Sequence, residues 1–257
     1  MRGLPDGLCD LIYVDPPFGT GVIRRGSAAS YADRSSPEAF IRQHGPRLAE
    51  CRRLLSRRGT LYVHLDYRTA HLVRTLLDDL FGRSSFLNEV IWSYRTGGNA
   101  KRHFARKHDN ILVYAQDPDH HIFHVLRSGE YRTDGLRVDE AGRPYKTTRK
   151  GRVYFHPGGP AMTDVWDIPF LSTVASERTG YPSQKPLALL ERVVLSSSDP
   201  GSVVGDFYCG SGTSLVAAAR HNRRYLGCDL SPQAVEIARC RLREASLQGE
   251  SSDGEKT

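Results

Sequence analysis

No apolar run in the chain approaches the roughly 20 residues that a membrane-spanning helix needs, and the opening MRGLPDGLCD has none of the long apolar stretch of a signal peptide. Cysteine is scarce. The five cysteines, at 9, 51, 209, 228 and 240, form no C-x-x-C pair and no cysteine/histidine spacing suited to tetrahedral zinc. The expectation is a cytoplasmic protein with reduced thiols and no metal site. G-x-G-x-x-G is absent, and no lysine follows the glycine turn near residue 210, which argues against dinucleotide and triphosphate cofactors. Internal repeats and heptad runs are also missing. Acidic residues are in deficit, 29 against 36 lysines and arginines, and the formal charge of +7 favours a polyanionic partner without singling one out.

What is present is enough chain, 257 residues, for one sizeable α/β domain carrying a smaller insertion. DLIYV (10–14) is a short apolar strand that runs into Asp15-Pro16-Pro17, where two prolines end ladder pairing. Pro37 opens a helical pattern through Leu48, Leu54 and Leu55 that Gly59 is expected to stop before the strand TLYVHL. An amphipathic helix over 68–80, ended near Gly82, and two strands, NEVIWSY and NILVY, come next. Such alternation argues for a parallel sheet covered on both faces. From 117 to 180 the pattern dissolves into polar, glycine- and proline-punctuated segments rich in arginine and aromatics, the place for an inserted recognition region. Alternation then resumes with a helix near 186–198, the strand SVVGDF, a glycine turn, a helix over 213–221, the strand RYLGCDL and a helix from 232 to about 244. The expected organisation is therefore 1–116, insertion 117–180, 181–245, and a disordered tail over 246–257 with almost nothing to bury.

Two loops carry chemistry. In VVGDFYCGSGT (203–213) a strand ends in an acidic residue and turns through Gly210 and Gly212 into an alanine-rich helix, an arrangement that lets backbone approach a nucleotide-like ligand. A plain structural turn has the same form. Asp229, at the end of the next strand and about 20 residues further on, is placed to accept both hydroxyl hydrogens of a ribose, and equally to cap the helix that follows. In Asp15-Pro16-Pro17-Phe18 the prolines fix the backbone, so a carboxylate, neighbouring carbonyls and one flat ring project from a strand end. Acceptors and a ring suit a planar amine. An exocyclic nitrogen of adenine or cytosine is a poor nucleophile, because its lone pair is delocalised; acceptors that hold its hydrogens localise that pair. Phe18 would stack on the base, which must leave the duplex to be reached. The plainer alternative is a proline-terminated strand with a loop-capping Asp15 and a core Phe18.

These segments together resemble the β-class bacterial DNA amino methyltransferases, particularly the branch that includes the modification subunits of type III restriction systems. The resemblance runs from LIYVDPPFGTG through LYVHLDYR, LLDDLFG, NEVIWSY and RKHDNILVY to GYPSQKPLALLERV and GDFYCGSGTSLVAAA. It implies a Rossmann-like α/β fold dependent on S-adenosylmethionine, with the permuted order of catalytic loop, recognition insertion and cofactor turn. Asp15 and the Pro16 carbonyl would bind the target amine, Pro17 would complete the loop and Phe18 would stack on the base. Asp206, Phe207, Gly210, Gly212 and Thr213 would surround S-adenosylmethionine, with Asp229 at its ribose and Ser183, Gln184 and Lys185 leading in, the lysine near the methionine carboxylate. Relatives carry a further strand and a Gly-Asp pair ahead of the catalytic strand. Here the chain begins only about nine residues before that strand, and the expectation is an incomplete adenine pocket, a chain that is a fragment, or another segment that substitutes. The implied partners are double-stranded DNA and, as protein, a second copy of the chain or a restriction-system subunit.

Positive charge gathers in RTGGNAKRHFARKH (95–108), with Lys101, Arg102, Arg106 and Lys107, and around Lys146, Arg149 and Lys150, beside Tyr145, Tyr154 and Phe155. Such clusters supply phosphate contacts, although solvated basic loops look alike in sequence. Three functions stay open: a methyltransferase acting on adenine N6, favoured because the loop begins with Asp where cytosine-N4 enzymes of the family more often have Ser; the cytosine-N4 enzyme; and a truncated, non-catalytic DNA-binding relic.

Overall fold

The structure, a computed structural model, describes residues 1–17, 22–25, 30–33, 36–94, 100–172 and 174–253, with backbone alone at 22–25, 30–33, 37 and 248–253. It divides into two compact units, Met1–His124 with Asp164–Thr257, and Val125–Thr163.

In the larger unit β1 (Cys9–Val14) is followed by a hairpin of β2 (Val22–Arg25) and β3 (Ser30–Asp33), then α1 (Pro37–Leu54) and β4 (Leu55–Leu65). Ser36 caps α1 by accepting from the Ala39 N–H at 3.2 Å. The strand follows the helix at once, so Gly59 does not end α1 as expected. It lies inside β4, where a Cβ would meet the Cys9 and Ser56 carbonyl oxygens at 3.0 Å, beside the register shift between Cys9 and Leu11. Next come α2 (Ala70–Phe81), β5 (Phe86–Ser93) and β6 (His108–Ala115). Ala70, Val73, Leu77 and Phe81 form the single buried stripe of α2, an amphipathic helix pressed on a core that includes Ile12, Val63 and Leu112.

The smaller unit holds β7 (Arg137–Val138), β8 (Pro144–Thr148) and β9 (Gly151–Tyr154) in an antiparallel sheet, with Tyr145 against Tyr154 and Tyr131 against Phe155. Its limits fall inside the 117–180 span read from sequence. Residues before it stay with the larger unit through Ile122 N–H to Arg58 O and His124 N–H to Ser196 O. Residues after it supply β10 (Val165–Asp167), which pairs with β5.

The chain then runs through α3 (Leu187–Ser197), β11 (Val203–Asp206), α4 (Thr213–Arg220), β12 (Arg224–Gly227) and α5 (Pro232–Asp253). The helix continues over 246–253, where the sequence suggests a disordered tail. No helix among the described residues is long and apolar enough to cross a membrane.

The seven-stranded sheet has the order β10-β5-β6-β4-β1-β11-β12. It is not wholly parallel: β6 runs against both β4 and β5. A parallel return would need a crossover, usually helical, and the described residues of the connection 94–107 contain no helix. One consequence positions the site. The carboxyl ends of β4, β1, β11 and β12 and the amino end of β6 share one edge of the sheet, where α/β folds place their ligands.

Candidate active site

Three of the carboxylates at that edge come together on one cavity. Asp15 follows β1, Asp206 ends β11 and Asp229 lies just past β12, and these strands are parallel neighbours. With Lys185 they line a cavity of about 590 Å³, a size suited to a nucleoside-bearing ligand. Ser183, Gln184, Phe207, Gly210, Thr213 and Pro17 also lie on its wall. Pro16 is buried, Gly212 is not on the wall, and Phe18 lies outside the described residues.

Asp15 and Lys185 form an ion pair; the Lys185 side chain is 8 % exposed and that of Asp15 18 %. The resemblance puts Lys185 at the methionine carboxylate, whereas here its ammonium sits on Asp15. A lysine so buried requires a counter-charge, and Asp15 is one.

Asp206 is fully enclosed, accepting from the Tyr208 N–H at 3.0 Å and from the Ser214 hydroxyl. Burial pushes its carboxyl up to about 7, and the charges of Asp15 and Asp229 add to the rise, against those two hydrogen bonds.

The glycine turn is packed from outside rather than open. Gly210 (φ +49°) and Gly212 (φ +76°) are left-handed, and a Cβ at Gly212 would come within 2.7 Å of Ala238 Cβ. Arg241 of α5 donates to Ser211 O at 2.8 Å and to Thr213 Oγ1 at 2.9 Å, clamping the turn. Asp229 accepts from the Gly210 and Ser231 N–H groups, both at 2.9 Å, so it ties the glycine turn to the start of α5. Each of its oxygens retains a lone pair for a ligand. Gln184 braces its own loop: its carbonyl accepts from Thr179 N and Oγ1 at 2.9 and 2.8 Å, and its amide donates to Glu177 O at 2.6 Å.

Several site groups escape sequence reasoning. Behind Asp15, Tyr13 OH meets His64 Nδ1 at 2.7 Å, His64 Nε2 meets Asp109 Oδ2 at 3.2 Å, and Tyr94 OH donates to Asp109 Oδ1 at 3.1 Å. Burial, then the charges of Asp15, Asp206 and Asp109, hold the Tyr13 phenol well above its usual value, so it keeps its proton. Burial would raise the Asp109 carboxyl, but the hydrogen bond and charge of His64, with Lys185 and Tyr94, bring it below the usual range. The available signal was a histidine and a tyrosine at inward positions of otherwise apolar strands. On the far wall His44 Nδ1 meets Tyr208 OH at 2.7 Å, bringing α1 to the cavity. Among the described residues no group of histidine, cysteine and carboxylates is placed to hold a metal.

The basic residues divide between the units. Lys101 and Arg102 are exposed, Arg106 stacks on Tyr67 with its Cζ 4.2 Å from the ring centre, and the Lys107 carbonyl accepts from Tyr94 N–H at 2.9 Å. Lys146, Arg149 and Lys150 are exposed on β8 and the turn into β9, in the smaller unit.

The donor set fits S-adenosylmethionine. Asp15, Asp206 and Asp229 would offer acceptors to its cationic groups and ribose, Lys185 would offer a cation to its carboxylate, and the glycine turn borders the cavity. A family model of N6 and N4 methyltransferases, described as DNA methylase, matches residues 9–239. The DNA adenine methyltransferase YhdJ of Escherichia coli (strain K12) is 27 % identical over 250 residues, 96 % of this chain and 80 % of that protein. The M1.HpyAVI–SAM complex superposes with a TM-score of 0.61 at 17 % identity, covering 94 % of this chain and 90 % of that one. The cytosine-N4-specific PvuII DNA methyltransferase gives 0.62 at 12 % identity, covering 96 % and 87 %. At such identities the structural matches speak for the fold.

Proposed function

The chain belongs to the DNA methylase family of N6 and N4 enzymes, and from that premise we propose that it methylates N6 of adenine in double-stranded DNA, with Asp15 as the group that holds the target amine. As a member of this family it is a DNA methyltransferase that uses S-adenosylmethionine. When bound, that cofactor supplies an electrophilic methyl group carried on sulfonium.

The observation that carries the adenine reading is the acidic start of the Asp15-Pro16-Pro17 loop at the edge of the cavity; likeness to an enzyme named for adenine methylation supports it. Asp15 Oδ accepts one amine hydrogen and the Pro16 carbonyl the other, which draws the nitrogen lone pair out of conjugation and towards the cavity. As the nitrogen gained the methyl group, in exchange for the carbon–sulfur bond that breaks, it would become cationic, and the Asp15 carboxylate would stabilise that charge until one N–H proton passed to solvent water. An interaction that strengthens in the transition state raises turnover more than binding. Asp206 and Asp229 face the cofactor side, and Lys185 leaves Asp15 when a competing carboxylate is offered.

Digestion of treated DNA to nucleosides decides the substrate: N6-methyl-2′-deoxyadenosine is expected, and N4-methyl-2′-deoxycytidine would overturn the adenine assignment. In a rapid-quench assay Asp15→Ala should lower the single-turnover rate about 100-fold or more, with DNA affinity little changed. Asp15→Asn should not recover the rate, since it keeps the shape but loses the charge. A wild-type rate in the Asn variant would make Asp15 a structural loop residue.

A further inference from the structure

Among the described residues, the segment before β6 bears the most exposed of the large apolar side chains. Phe104 is 97 % exposed, and the run AKRHFARKH (100–108) around it contains no acidic residue. Strand register locates the segment. Val14 pairs with Val63 and Leu65 with Asn110, so β6 begins at the edge where Asp15 emerges, with only β4 between. Two strand spacings separate them, about 10 Å.

The base of the segment is anchored while its tip is bare. Arg106 Nη1 donates to Tyr67 OH at 2.7 Å and its guanidinium stacks on that ring, which Arg68 also faces at 5.4 Å. Arg68 is in turn held by the buried Asp66. Lys107 O accepts from Tyr94 N–H, joining the segment to the end of β5. An aromatic ring standing in water on such a base, flanked by Lys101, Arg102 and His103, has the two chemistries that duplex DNA offers a partner: phosphates for the cations and a base stack for the ring.

We propose that Phe104 is the wedge that enters the base stack of duplex DNA beside the extruded target base, while Lys101 and Arg102 hold the flanking phosphates. This rests on the reading that the protein methylates a base in double-stranded DNA. Extrusion leaves a gap in the stack and costs unstacking energy, and a flat ring that fills the gap shifts the base towards the cavity. Phe104 thereby acts before chemistry, on the supply of extruded base, and not on the reacting nitrogen.

Sequencing of DNA methylated by the wild-type protein first locates a modified site. Single-turnover rates are then compared on two duplexes carrying it, one fully paired and one with an abasic position opposite the target. Phe104→Ala should lose about tenfold or more on the paired duplex and stay within about twofold of wild type on the abasic one, where no pair must break. Phe104→Trp should keep the rate on both, because it keeps a stacking ring. A wild-type rate for the Ala variant on the paired duplex, or an equal loss on both, would overturn the wedge. If the wild-type protein methylated no DNA, the functional reading would fall and the wedge with it.

Discussion

Asp206 is the residue whose environment has the clearest thermodynamic consequence. Its carboxyl titrates near 3.8 in the unfolded chain and at about 7 when folded, chiefly because burial disfavours the charge. The native state therefore keeps a proton that the unfolded state gives up between those values. Stability should fall as pH rises from about 4 to about 7 and level off above, a cost on the order of 4 kcal/mol from this group. Asp206→Asn, which retains an acceptor for the Tyr208 N–H, should flatten that slope in urea titrations at several pH values. An unchanged slope would show that Asp206 is ionised in the fold. A cationic ligand beside it favours the charged form, so S-adenosylmethionine should bind more tightly at about pH 8 than at about pH 6, with proton release seen by calorimetry in buffers of different ionisation enthalpy. Its acidity at a strand end was legible in the sequence. Its burial was not, because the enclosing Tyr208 and Ser214 lie in a turn and in the first residues of α4, whose placement depends on α5.

At the scale of elements, the turn joining β11 to α4 shows how local chemistry and packing divide the work. The sequence G-S-G announces a tight turn, and Gly212 has the positive φ that such turns require. What it did not announce is the neighbour: Ala238 of α5 sits where a Cβ would go. Gly212→Ala should cost about 2–4 kcal/mol, from left-handed backbone together with overlap. The double variant Gly212→Ala with Ala238→Gly should recover the overlap part and leave the backbone part. Denaturant titration of the three proteins separates the two, and full recovery in the double variant would mean that φ at 212 carries no strain. A similar limit applies to β6. Its apolar run marks a strand, yet nothing within HDNILVYA states that it runs against its neighbours; that followed from the connection before it.

For the whole molecule, charge is distributed over both compact units, with Lys101 and Arg102 in one and Lys146, Arg149 and Lys150 in the other. If each unit neutralises phosphates, affinity for duplex DNA should fall steeply with added salt. Lys146→Ala or Arg149→Ala should then reduce the slope of log K against log salt by about 0.9 for each phosphate no longer neutralised. Anisotropy titrations across a salt series test this. Slopes equal to wild type would make the smaller unit's cations ordinary surface.

The amino-acid sequence by itself determined the order of the elements outside 19–36 and 117–180, the proline-braced acidic loop, the glycine turn and the acidic residue past β12. Each is a contiguous pattern whose meaning comes from backbone geometry and from side chains a few residues apart. Only the tertiary structure decided that Lys185 lies on Asp15, 170 residues away. It also decided that Tyr13, His64 and Asp109 form one buried chain, that α5 clamps the turn through Arg241, and that Phe104 stands in water at the site edge. These depend on which strands lie side by side and in which direction. That is settled by the burial of the whole sheet and by how its connections close, and no short stretch of sequence contains it.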